Sequence, residues 1–413
     1  MKPSHVEVVG GAYGEECSFP PRKIYRGSGG RAAAVLSSLG VKTTLNTVTG
    51  PLLGSVFQSI AETCGYELKA APGTEDIWFR YRHPLSHPTI YPPQPKAISS
   101  RAPIHVETAL IFGMLEGRPE VHAKKAVYDP QDGSRSQHFF ANGSSASELA
   151  VVASYSEAKA LTGESAPEAM AANLLSDPRI SAVVIKCGPQ GALVKTRSDQ
   201  DWIRAFPTKR VYKVGSGDVF SAAFTFAWIS QGKDPISSAW FASRIVAAYV
   251  ETGQDRIDNS LSALFESETL KARELYSGKG PRALPKTQIY LAGPFFNTAQ
   301  QWLIDEARGA LMDMGFTVFS PVHEVGFGPA EEVAQADLKG LDASGLVLAV
   351  LDGLDAGTVF EVGYARAKNI PVVAIAECVD TNDLTMMIGS GCVMTNDFAT
   401  AIYLACWHLM GDV

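Results

Sequence analysis

The apolar positions are most regular in the last third of the chain. From Gln288 onward, solid apolar runs alternate with stretches of helical spacing. The pattern predicts a strand over 288–293, a helix from Thr298 to Met314, a strand over 316–320 and a helix over 330–343. A strand over 346–351, a helix over 358–369, a strand over 371–376 and a closing helix from Phe398 to Met410 follow. A run such as Leu346-Val-Leu-Ala-Val-Leu351 marks a strand covered on both faces. Strands alternating with helices in this way predict an α/β unit, a small doubly wound parallel sheet of flavodoxin-like form.

The first two-thirds are less even. Val6-Glu-Val-Val9 opens the chain as a strand, which argues against a signal peptide. Residues 1–110 hold short strand-like pieces and a proline-rich passage, Pro84 to Pro103, expected as loop or sheet edge. α/β alternation then becomes clear, with strands at Ala109–Phe112, Ala126–Asp129, Leu149–Val152 and Ala182–Ile185, and a long apolar helix over Ser221–Ile229. From Glu266 the chain turns polar, and Ser277-Gly-Lys-Gly-Pro-Arg-Ala-Leu-Pro285 is dense in turn residues. These shifts predict a domain over 1–275, a linker over 276–287 and a second domain over 288–413. No internal repeat is visible.

Composition narrows the function. A chain of 413 residues exceeds one ordinary core, and 46% hydrophobic with 19% charged residues describes a globular protein. A formal charge of −7 argues against a nucleic-acid-binding surface. Apolar runs are broken well short of membrane-spanning length. Cys17, Cys64, Cys187, Cys378, Cys392 and Cys406 form no C-x-x-C pair, so neither a zinc site nor a disulfide framework is expected. Reduced thiols in a cytoplasmic protein are the default.

The stretch Asp352-Gly-Leu-Asp-Ala-Gly-Thr-Val-Phe-Glu-Val-Gly-Tyr-Ala365 carries the candidate chemistry. It places Asp352 at a strand end, Asp355 in a loop and Glu361 in a first helical turn. That carboxyl edge is where open α/β sheets bind ligands. Three carboxylates there suit acid/base or nucleophilic work on a small polar substrate. The plainer alternative is that Asp355 and Thr358 cap the helix while Glu361 complements its dipole.

This stretch resembles the signature of the nucleoside 2-deoxyribosyltransferase family, and a second family motif stands upstream in Ile289-Tyr-Leu-Ala-Gly-Pro-Phe-Phe296. The resemblance implies cleavage or transfer of an N-glycosidic bond through an oxocarbenium-like state, with one ionised carboxylate and one proton donor and no cofactor. It assigns Glu361 as the residue that forms the covalent deoxyribosyl intermediate, held ionised by the helix N-terminus. Asp337, in Ala336-Asp-Leu-Lys-Gly-Leu-Asp342, would protonate or orient the base. Asp355 and Asp352 would hold sugar hydroxyls or the base edge, while Tyr290, Gly293 and Pro294 shape the pocket. Met387, in Leu384-Thr-Met-Met-Ile-Gly389, would complete a neighbouring subunit's site, which implies a homo-oligomer. Related hydrolases hold a 5′-phosphate with an arginine-containing loop; Gly293-Pro-Phe-Phe-Asn-Thr298 has no arginine, which favours free nucleosides.

In the first two-thirds, Lys213-Val-Gly-Ser-Gly-Asp-Val-Phe220 leads into the apolar helix. Backbone N–H groups of Gly215, Ser216 and Gly217 would form an anion hole, and Asp218 could take a proton from an attacking hydroxyl. The plainer alternative is a glycine turn capped by Asp218. Arg26-Gly-Ser-Gly-Gly-Arg-Ala-Ala-Ala-Val-Leu-Ser-Ser-Leu-Gly40, Ser154-Tyr-Ser-Glu157 and Val183-Val-Ile-Lys-Cys-Gly188 run in the same order as motifs of the ribokinase-like (PfkB) kinases, which this part of the chain resembles. The resemblance implies a ribokinase-like α/β fold over 1–275, ATP with magnesium, Asp218 as base and Glu157 as an indirect organiser of the metal. Several positions depart from the family pattern. Arg31 and Ser154 stand in place of asparagines, Tyr212-Lys213 in place of Asp-Thr, and the sugar-binding aspartate is missing, with Glu15 or Glu16 as candidates to substitute for it. Two expectations follow: a nucleoside-metabolism protein joining a sugar or nucleoside kinase to a glycosyl-transferring unit, or a degenerate kinase unit that senses a nucleotide and regulates an N-glycosidase acting on nucleotides or NAD.

Overall fold

The computed structural model describes residues 5–96, 102–131, 133–280 and 284–411. Part of the proline-rich passage (97–101) and of the turn-rich joint (281–283) lies outside the described residues. The chain forms two compact units, Met1–Phe206 with Tyr212–Pro281 and Pro207–Val211 with Arg282–Val413.

The first unit is built on a nine-stranded sheet. From one edge it runs Gln200–Ile203, Ala192–Thr196, Ile180–Lys186, Ser145–Ser154, Val121–Asp129, Ile104–Phe112, His5–Val9, Lys42–Thr49 and Glu67–Pro72. Ala192–Thr196 pairs antiparallel with both its neighbours, and the other six pairings are parallel. The parallel strands therefore end along one edge and present Asp129, Ser154 and Lys186 there. Strand Lys42–Thr49 was not expected, because Lys-Thr-Thr-Leu-Asn-Thr-Val-Thr is not an apolar run. Its threonines nevertheless suit a pleated surface, and all but Lys42 are buried. A separate four-stranded sheet, in the order Arg22–Tyr25, Gly14–Cys17, Trp78–Tyr81 and Thr89–Tyr91, takes up part of the proline-rich passage as an edge strand.

Two helices matter for the site. Gly27–Ser38 is buried from Gly27 through Leu36, its small side chains allowing close approach to the sheet. Ser216–Thr225 begins earlier than the apolar periodicity suggested, directly on the glycine loop, and passes into a π-turn over Phe226–Ser230. Gly215 precedes it at φ +81°, a conformation that a Cβ would strain. The polar stretch after Glu266 is the exposed side of helix Asn259–Tyr276 and not loop.

The second unit is a five-stranded parallel sheet in the order Val318–Phe319, Gln288–Ala292, Ser344–Val350, Val372–Ile375 and Val393–Thr395. In chain order this is 2-1-3-4-5, the flavodoxin-like winding, whose switch point lies between Gln288–Ala292 and Ser344–Val350. The last strand, three half-buried residues at an edge, was too short to read. Helix Phe398–Met410 is buried except at His408 and Leu409, as its apolar circumference requires. Gly293 ends the first strand where a Cβ would fall 2.6 Å from Ile304 Cδ1, so helix Thr298–Asp313 can pack closely there. Among the described residues no helix is long and apolar enough to cross a membrane.

Candidate functional site

At the switch point of the second unit, Tyr290 rises from strand Gln288–Ala292 and donates its hydroxyl proton to Glu361 Oε1 at 2.5 Å. Its ring stacks on Phe319 with centroids 5.4 Å apart. Glu361 sits in the second turn of helix Ala356–Ala367, because Asp355 caps that helix earlier than expected. The expectation of a first-turn glutamate held ionised by the helix N-terminus is therefore corrected. Burial pushes the Glu361 carboxyl up to about 7, Asp337 and Asp355 add to the rise, and the Tyr290 hydrogen bond opposes it. Asp337, on helix Ala330–Asp342, is half-buried, and burial raises its pKa. Its Oδ1 is buried without a hydrogen-bond partner. The unit thus brings together two carboxyls that burial shifts toward the protonated form, Glu361 to about 7.

The other two acids have structural duties. Asp355 Oδ2 accepts from Thr358 N at 2.8 Å and from Thr358 Oγ1 at 3.0 Å, the capping arrangement set aside as the plainer reading. Asp352 accepts from the backbone N–H groups of Glu377 and Cys378 at 3.1 and 2.6 Å and pins the loop after Val372–Ile375. Met387 packs inward in one cluster with Tyr290 and Val347, while Met386 at 78% and Ile388 at 45% face outward. Adjacent residues on a helix point about 100° apart, so the two methionines cannot share a role. Pro294 is buried and Gly293 half-buried at the end of the Tyr290 strand.

Sequence reasoning passed over an aromatic group at this edge. Phe295 lies 5.1 Å from Phe296 and 5.7 Å from Phe327, with Phe296 and Phe327 largely exposed. Two consecutive phenylalanines just past a strand end were the available signal. Such rings offer a stacking face for a planar base.

Replacing Tyr290 with phenylalanine is expected to raise the Glu361 pKa and cut kcat/KM roughly tenfold, one lost charge-assisted hydrogen bond. A pH profile of base release checks this: the acid limb should move to higher pH, whereas a purely structural role would lower the profile without moving it.

In the first unit, the carboxyl edge carries a continuous polar chain. Arg31, only 1% exposed, pairs with Glu15 and, at 2.6 Å, with Asp218 Oδ2. Burial opposes its charge, but the carboxylates prevail and its pKa is raised. Glu15 also accepts from Gly27 N at 2.9 Å, while Glu16 points outward to Arg80, as strand alternation dictates. Gln131 Nε2 bridges Asp218 Oδ1 (3.0 Å) and Asp129 Oδ1 (3.3 Å). Asp129, fully buried, takes Lys186 Nζ at 2.7 Å and Ser221 Oγ at 2.6 Å. Burial raises Asp218 to about 6 against the pull of Arg31.

Gly215, Ser216 and Gly217 lead into a helix whose first turn has no side-chain cap. Lys186 Nζ lies 3.4 Å from where a Cβ on Gly217 would stand. Orphan N–H groups with an adjacent ammonium fit a phosphate. Magnesium fits less well. Glu157 gives Oε2 to Ser154 N at 2.7 Å in a capping box, and Lys186 already neutralises Asp129. Among the described residues no cluster of three His, Cys, Asp or Glu side chains offers a metal centre. No step below runs through a metal.

Comparison with known proteins agrees with this division. The family model for pfkB family carbohydrate kinases matches residues 144–261. The model for nucleoside 2-deoxyribosyltransferases matches residues 289–397. The chain therefore carries one segment similar to the pfkB carbohydrate kinases and one similar to the nucleoside 2-deoxyribosyltransferases, which supports an enzyme of sugar or nucleoside metabolism. Among solved structures it is similar to phosphofructokinase-2 from Escherichia coli, with 13% identity and a TM-score of 0.49, over 65% of this chain and 99% of that one. It is also similar to ribokinase from Thermotoga maritima, with 17% identity and a TM-score of 0.49, over 63% and 99%. No curated protein matches the chain.

Proposed function

We propose that the second unit breaks the N-glycosidic bond of a nucleoside or deoxynucleoside, with Glu361 as nucleophile. The observation that carries this reading is the pair of buried Tyr290 and half-buried Glu361 beside Asp337, whose Oδ1 has no hydrogen-bond partner. Glu361, ionised, attacks the anomeric carbon as the bond to the base nitrogen breaks. Asp337 delivers its proton to the departing base, and a glycosyl ester on Glu361 remains. Deprotonated Asp337 then takes a proton from the incoming base, or from water, as that group displaces Glu361. Tyr290 orients the carboxylate throughout. The exposed rings of Phe296 and Phe327 supply a face for the base. The loop Gly293–Thr298, which lacks arginine, supports a substrate without a 5′-phosphate.

The test is base release from 2′-deoxyadenosine, its 5′-monophosphate and NAD, with and without cytosine. Release from the free nucleoside that rises with cytosine marks a transferase; release indifferent to cytosine marks a hydrolase. Release only from the monophosphate or NAD would overturn the assignment of substrate.

For the first unit, the sequence supports a sugar or nucleoside kinase using ATP, with Asp218 as base and the Gly215–Gly217 turn and Lys186 cradling phosphate. The pairing of Asp218 with Arg31 favours the second reading, a kinase-shaped unit that binds a nucleotide and does not turn it over.

A further inference from the structure

All four carboxylate oxygens on the acceptor side of the glycine loop are occupied from within the chain. Asp218 gives Oδ2 to Arg31 at 2.6 Å and Oδ1 to Gln131 at 3.0 Å. Glu15 gives Oε2 to Arg31 and Oε1 to the Gly27 N–H at 2.9 Å. The guanidinium lies so close to the loop that a Cβ on Gly215 would stand 2.2 Å from Arg31 Cζ. An alcohol approaching Asp218 to give up its proton would have to enter the volume that the guanidinium fills. Displacing it would leave two buried carboxylates without their cation, a costly state.

Several donor groups at the same loop are in the opposite condition. The first turn of helix Ser216–Thr225 has no side-chain cap. Arg31 Nε is buried with no hydrogen-bond partner, and it lies 2.3 Å from the Cβ position of Gly215. Lys186 sets a cation beside Gly217. The carboxylates are satisfied, Ser216 N–H is held by Lys213 O at 2.9 Å and Lys186 Nζ by Asp129, which leaves Arg31 Nε and the N–H groups of Gly217 and Asp218 to receive a phosphate.

We propose that Arg31 is a built-in stand-in for the acceptor alcohol, so that the first unit holds a nucleoside polyphosphate at the Gly215 loop without passing its phosphoryl group on. The proposal rests on reading this unit as nucleotide-binding, and it gives that reading a residue. Arg31 supplies two donors to Glu15 and Asp218, where a substrate alcohol would bring one proton for Asp218 to accept. The asparagine usual at this position in the resembled family is shorter and uncharged, and would leave that volume open.

The test uses the full chain with ATP and magnesium, ribose and adenosine as acceptors, calorimetry for binding and labelled γ-phosphate for transfer. Wild-type protein is expected to bind ATP and to give no labelled ribose or adenosine monophosphate. Arg31→Asn is expected to bind an acceptor at least about tenfold more tightly than wild type. If the lone substitution does not fold, the charge-balanced Glu15→Gln/Arg31→Asn variant replaces it. Labelled product from wild type, abolished by Asp218→Asn, would overturn the proposal. So would failure of wild type to bind ATP, or a folded variant with no gain in acceptor binding. Base release measured on the same samples reports on Glu361 separately, so either reading can fail alone.

Discussion

Glu361→Ala is expected to lower kcat/KM for base release by roughly 10⁴-fold, about 5 kcal/mol of transition-state stabilisation. No neighbouring group replaces it. Asp355 is committed to Thr358 and Asp352 to the Glu377–Cys378 backbone, so neither is free to attack. Asp337 extends from a different helix and is suited to the base side. The wild-type profile should itself be pH-dependent. Glu361 must be ionised to attack, and burial holds its pKa near 7, so kcat/KM should rise through that region. Burial raises Asp337 as well, in the direction of the protonated form that would donate to the base. Steady-state kinetics on wild type and Glu361→Ala from acid to alkaline pH check both points. Residual activity within tenfold of wild type would remove Glu361 from the reaction.

Glu361→Gln should have the opposite effect on stability. The carboxyl moves from an ordinary 4.5 to about 7 on folding, chiefly through burial. Below the unfolded value it is protonated in both states and the folded chain loses nothing. As pH rises, the unfolded chain ionises first, and stability is lost until the folded carboxyl also ionises near 7. The full loss is about 3 kcal/mol, from about 1.4 kcal/mol for each pKa unit. Glutamine keeps an acceptor for Tyr290 and carries no charge. Thermal unfolding of the second unit should therefore rise by several degrees at pH 8 and hardly change at pH 4. An equal shift at both pH values would show that the carboxyl's charge is not what strains the site. A gain in stability with loss of activity is the usual mark of a group held in an unfavourable place for its chemistry.

The structure explains why some of this was legible and some was not. Leu346–Leu351 could be read as a buried strand because a strand covered on both faces must be apolar throughout, and Phe398–Met410 could be read for the analogous reason in a helix. Lys42–Thr49 escaped because threonine and asparagine fill a buried strand without looking apolar. The helix carrying Glu361 starts two residues before the predicted point because Asp355 caps it through the glycine-rich turn. That shift moves Glu361 from the first turn to the second, and burial, which no local spacing reveals, turns its pKa upward. The residues of the glycosidic site were legible as motif positions, but their separate duties were not, since one carboxylate resembles another until its partners are known. Arg31 stood out only as a departure from a pattern. Its contacts join residues 15, 31 and 218, and no local spacing carries that information.

The covalent intermediate offers the most direct test of the central claim. Intact-mass measurement of the full chain, quenched soon after mixing with 2′-deoxyadenosine in the absence of any acceptor base, should show protein heavier by one deoxyribosyl group. Proteolysis should place that group on the peptide containing Glu361, and Glu361→Ala should show none. Base release from wild type with no adduct under any quench, or an adduct that persists in Glu361→Ala, would contradict the account.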